Sequence, residues 1–105
     1  QQQQAVGIIN RYTDKNDYIV TDDFSLVVNS NRKTIPELTE ISMVRIASRQ
    51  LTSTMLVKYL NKYKPKIIAT FADRLEYLPG FEDTIYNYRL LKEIDRRKKI
   101  YIRKK

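Results

Sequence analysis

Residues 41–88, ISMVRIASRQLTSTMLVKYLNKYKPKIIATFADRLEYLPGFEDTIYNY, decide the fold. Within them Leu56, Tyr59, Leu60 and Tyr63 recur at i, i+3, i+4 and i+7. That spacing lines one face of an α-helix over 52–64, with Met55 widening the stripe. Thr52 or Ser53 can cap its amino end, and Pro65 ends it. Lys66–Asp73 (KIIATFAD) reads as a short buried strand. The segment before the helix, Leu38–Ala47, fits neither strict alternation nor a full helical stripe. It is expected to be a strand with a bulge near Met43–Val44. A helix between two strands implies a crossover and parallel neighbours. Sites in such units lie at the carboxyl ends of the strands.

Downstream, Pro79-Gly80 marks a turn, and Glu82 and Asp83 suit the first turn of a second helix. Phe81, Ile85, Tyr88 and Leu91 carry that helix to about Glu93. Ile100–Arg103 is expected to be a last strand. Upstream, Gln1–Gln4 reads as a disordered polar start and Ala5–Asn10 as a first strand. Tyr18–Val20 and Phe24–Val28 are β-rich runs around Thr21-Asp22-Asp23, as in a hairpin. The order is β-β-β-β-α-β-α-β: an α/β (α+β) chain with a mixed sheet, two main helices and one domain over 5–105.

With 105 residues the chain can bury a core without a metal or disulfide staple. It has no cysteine and no histidine. Disulfides, Cys-based zinc sites and His-dependent hydrolytic triads are therefore excluded. Asp14, Asp17, Asp22 and Asp23 lack the spacing of a calcium loop and read as turn residues; no metal site is expected. No apolar run is long enough to span a bilayer, and the start lacks a signal-peptide pattern. A cytoplasmic location, without a membrane partner, is the expectation.

The net charge of +8 is uneven. Residues 92–105 hold eight Lys/Arg against two Asp/Glu, whereas residues 1–91 hold twelve against ten. Arg96, Arg97, Lys98, Lys99, Arg103, Lys104 and Lys105 surround Tyr101. Cations contact phosphates and an exposed Tyr stacks on a base, so nucleic acid, DNA first, is the expected partner. A solvated tail is the plainer alternative.

The block also resembles the GNAT-type N-acetyltransferases. Within them it is most similar to small phage Mom-like DNA-modification proteins and the acetyltransferase-like domain of phage homing endonucleases. The residues carrying the resemblance are Arg45-Ile46-Ala47-Ser48, Ser53–Leu60, Tyr63–Ile68, Phe71-Ala72-Asp73-Arg74, Gly80 and Tyr86. It implies transfer of an acyl group from acetyl-CoA or another acyl-CoA to a base amine in DNA, within a host-cell cytoplasm. It implies that Asp73 orients the amine or acts as base. Tyr86, or Tyr88 in its place, protonates the thiolate, and Arg45 holds phosphate or carboxylate. Ser48, Gln50, Thr52, Ser53 and Thr54 would cradle the cofactor. That turn has no glycine, which such a cradle uses to let phosphate approach the backbone. The alternative is a basic nucleic-acid-binding or interaction module on the same fold, without catalysis.

Overall fold

The structure, a computed structural model, describes residues 2–39 and 41–104. It opens with helix α1 (Gln2–Tyr12), strand β1 (Tyr18–Thr21), helix α2 (Phe24–Ser30) and strand β2 (Lys33–Thr34). A 3₁₀ turn (Pro36–Leu38) leads to α3 (Met43–Ala47), α4 (Ser53–Tyr63) and β3 (Ile67–Thr70). A second 3₁₀ turn (Leu75–Tyr77), α5 (Phe81–Thr84), β4 (Tyr88–Asp95) and β5 (Lys98–Arg103) complete it.

The five strands form one sheet in the order β2-β1-β3-β5-β4. β1 runs parallel to β2 and β3, and β5 runs antiparallel to both β3 and β4. The central strands are buried on both faces, as parallel strands require. Ile19, Ile67, Ala69, Ile100 and Ile102 face α1 and α2, where Ala5, Ile9 and Leu26 complete one core. Val20 and Ile68 face the other way, onto Leu56 and Leu60 of α4 and Phe81 of α5.

The helix expected at 52–64 is present as Ser53–Tyr63, the strand expected at 66–73 is confined to Ile67–Thr70, and the one expected at 100–103 begins earlier, at Lys98. Thr52 caps α4, its side chain accepting from Met55 N–H, and Lys64 leaves the helix in a left-handed turn before Pro65. β3 does have a parallel neighbour, but that neighbour is β1.

Several expectations are corrected, and with them the order of elements along the chain. Ala5–Asn10 is helix, because Ala5 and Ile9 bury at i, i+4 and the flanking Gln residues extend the helix. Gln2–Gln4 belong to this helix and are not a disordered start; Gln1 lies outside the described residues. Phe24–Val28 is also helix. The Asp23 side chain accepts from Ser25 N–H at one end, and Asn31 closes the other in the left-handed region. These two caps overrule the β-propensity of the run. The described residues of 38–47 form no strand: Ser42 caps α3 by accepting from Arg45 N–H. The second helix is one turn long, and the residues after it form β4. Arg97 N–H donates to Asp95 Oδ1 at 2.8 Å, an Asx turn that folds β4 onto β5. The structure is thus a mixed α/β sheet with helices on both faces, and its elements do not follow the expected order β-β-β-β-α-β-α-β.

Candidate ligand groove at the carboxyl end of β3

After β1 the chain passes to the α1–α2 face, and after β3 to the α4–α5 face. Between two such strands an open α/β sheet leaves a crevice at their carboxyl ends. Here Asp22, the residue after β1, fills it. It is 5% exposed. Its Oδ1 accepts from the N–H groups of Phe71 (2.8 Å) and Ala72 (2.9 Å). Its Oδ2 accepts from those of Arg74 (3.1 Å) and Leu75 (3.0 Å). An inward ring of amides that could hold a ligand's anion holds the chain's own carboxylate instead. Asp22 is therefore a structural clasp between β1 and the loop after β3.

That loop carries the residues of the open cleft beside the crevice. Asp73 takes φ 55°, a left-handed conformation that Asp tolerates, and pairs with Arg97 Nη1 at 3.1 Å. Glu76 follows in the 3₁₀ turn. Gly80, at φ 67°, then reverses the chain into α5. A cleft of about 550 Å³ opens here, lined among others by Thr70, Glu76, Phe81, Arg96, Arg97 and Lys99. Burial holds the Glu76 carboxyl above its ordinary pKa; Asp22 and Asp73 push it further, while a backbone hydrogen bond and Lys99 oppose them. Its Oε1 is buried without a hydrogen-bond partner among the described residues.

A second cleft, of about 500 Å³, lies along the hairpin and is lined by Tyr86, Leu90 and Lys104 among others. The two share Glu82, Lys99 and Tyr101, so they adjoin, and together they are called the groove. Tyr101 stands edge-on to Phe81, with ring centroids 6.3 Å apart. Burial, and then Glu82, Glu76 and Glu93, raise its phenol pKa. Tyr86 (59% exposed) and Leu90 (47%) leave apolar surface open beside Lys99 and Lys104.

The residues expected from the sequence divide around this groove. Arg96, Arg97, Lys99, Tyr101 and Lys104 line it. Lys98 reaches Asp95 at 4.0 Å, and Arg103 lines a smaller cleft with Asn61 and Tyr86. Lys105 lies outside the described residues. Of the three catalytic candidates, Tyr86 alone lines the groove. Asp73 is held by Arg97, and Arg45 sits on α3, donating to the Glu37 carbonyl at 3.4 Å. Tyr88 is buried; its hydroxyl donates to the Pro65 carbonyl at 2.6 Å, and burial raises its pKa.

Three of the five cofactor candidates bond backbone groups of the chain. Thr52 caps α4, Ser48 Oγ donates to the Arg45 carbonyl at 3.4 Å, and Ser53 Oγ donates to the Pro79 carbonyl. Gln50 and Thr54 are exposed. Asp14 and Asp17 close a turn, with Asn16 N–H on Asp14 Oδ1 and Asp14 N–H on Asp17 Oδ2. Glu76 and Glu82 escaped the sequence reading. For Glu76 the signal was its place just past a buried strand; for Glu82 it was hidden by a role at a helix start. Among the described residues no helix is long and apolar enough to cross a membrane. No protein-family model matches the chain, and neither a curated protein nor a solved structure is significantly similar to it.

Proposed function

We propose that the chain acts by binding, and that its groove takes single-stranded nucleic acid without catalysing a reaction on it. The observation that carries this reading is the meeting of the two clefts at Lys99 and Tyr101. It sets Arg96, Arg97, Lys99 and Lys104 along one surface with Tyr86 and Tyr101. Cations that track a phosphate backbone, beside aromatics on which bases stack, are what a single strand needs. A duplex would stand off from the recessed Tyr101, whereas an unpaired base can enter the groove.

Acyl transfer is the weaker reading for a stated reason. It needs a base, an acid and an oxyanion donor around one point. Asp73, Tyr86 and Arg45 have separate partners or settings, and the crevice that would hold an anion is closed by Asp22.

The test is fluorescence anisotropy with a labelled single-stranded oligonucleotide, comparing the native chain with Arg96→Ala/Lys99→Ala/Lys104→Ala. The triple variant is expected to bind at least tenfold more weakly while keeping its melting temperature. Equal binding by the two would remove the groove as the site. A thermal shift with acetyl-CoA or free CoA, alongside, is expected to be nil. A ligand at 100 times its Kd would add about 2.7 kcal/mol, so a clear rise would favour the acyltransferase reading.

A further inference from the structure

Glu76 has no task in that account, yet it lines the inner cleft with one carboxylate oxygen lacking a hydrogen-bond partner among the described residues. A buried acceptor left unpaired is costly, and such an atom calls for an explanation. Its neighbours supply none. Asp22 and Asp73 face it with like charge, and Lys99 is the cation acting on it. The last torsion of a glutamate is broad and nearly two-fold. A small rotation therefore carries the orphan oxygen into the cleft, where a ligand's N–H can reach it. The lining of the cleft suits a planar ring with adjoining phosphates: it includes the aromatic Phe81 and Tyr101 and the cations Arg97 and Lys99.

We infer that Glu76 is a specificity-determining residue, accepting a hydrogen bond from the exocyclic amine of an unpaired base in the inner cleft. This rests on the nucleic-acid reading of the groove. Cytosine N4 is the donor that carboxylates accept from when they read bases. Uracil and thymine instead present a carbonyl at that position, and two acceptors repel. Their one donor on that edge, N3–H, lies between two carbonyls, so a carboxylate oxygen accepting from it sets the second oxygen against one of them. The groove should thus prefer cytosine over uracil, two bases that differ at this edge and hardly in stacking area.

The experiment compares oligo(dC) with oligo(dU) of one length, at one salt concentration near neutral pH, for the native chain, Glu76→Leu and Glu76→Gln. The native chain is expected to bind oligo(dC) about tenfold more tightly, the size of one good base contact. Glu76→Leu should equalise the two oligonucleotides and leave the salt dependence of binding unchanged. Glu76→Gln, which keeps a carbonyl acceptor and loses the charge, should retain part of the preference. Equal binding of both oligonucleotides by the native chain overturns the role of Glu76 and leaves the groove reading standing. A preference that survives in Glu76→Leu overturns it as well. Failure of every oligonucleotide to bind removes the groove reading and this inference together.

Discussion

The side chain of Asp22 accepts four backbone N–H groups at a depth where the residue is 5% exposed. Asn in its place keeps the shape but turns an amide NH₂ toward two of those donors. Hydrogen bonds to a charged group contribute about 1.5–3 kcal/mol each, and an unmet buried donor adds to the loss. Asp22→Asn is therefore expected to lower stability by about 3 kcal/mol or more, read as a fall in the urea midpoint at unchanged m-value. A loss under about 1 kcal/mol would mean that the clasp is dispensable. Glu76 behaves in the opposite sense. Its raised pKa means the folded chain holds this proton more tightly than the unfolded one, whose value is 4.5. Its contribution is thus fully present below that value and is lost as pH rises through the higher folded value. Glu76→Gln should be neutral near pH 4 and stabilising near pH 7, by less than about 1 kcal/mol because the group is only partly buried. Urea midpoints of the two chains at both pH values check this; a constant difference would contradict it.

At the scale of elements, caps and pairing partners decide what periodicity leaves open. α4 and β3 were legible because each repeats its signal over a full length and Pro65 separates them. α2 and α3 are short, and their identity rests on one side chain each, Asp23 and Ser42. Their runs, FSLVV and MVRI, are composed like strands. Asp23→Ala should therefore cost about 1 kcal/mol, seen as a lower urea midpoint. A loss near zero would mean that packing of Leu26, and not the cap, selects the helix. β4 departs from the helical expectation for a different reason. Phe81, Ile85, Tyr88 and Leu91 satisfy a helical spacing, and Tyr88–Asp95 becomes a strand because β5 offers a pairing edge. Nothing local states that. The candidate site divides the same way. The cations of the hairpin were legible from charge alone, while the groove they line depends on the antiparallel pairing of β4 and β5. Arg45 is expected at a strand end and lies instead on the helix α3, whereas Asp73 does follow a strand, β3.

Across the whole molecule, the charge of residues 92–103 is spread over the β4–β5 hairpin at one side of the sheet. Tyr86, exposed in the cleft along the hairpin, offers the simplest probe of stacking. Tyr86→Ala should weaken oligonucleotide binding by about 1–3 kcal/mol with little effect on melting temperature, since base–aromatic stacking has that size. The most direct measurement is the salt dependence of single-strand binding. Arg96, Arg97, Lys99 and Lys104 give four phosphate contacts at most. With single strands the slope of log affinity against log salt should then be about −3, falling toward −1 in Arg96→Ala/Lys99→Ala/Lys104→Ala. No binding at low salt, or a slope that the triple variant leaves unchanged, would contradict the account.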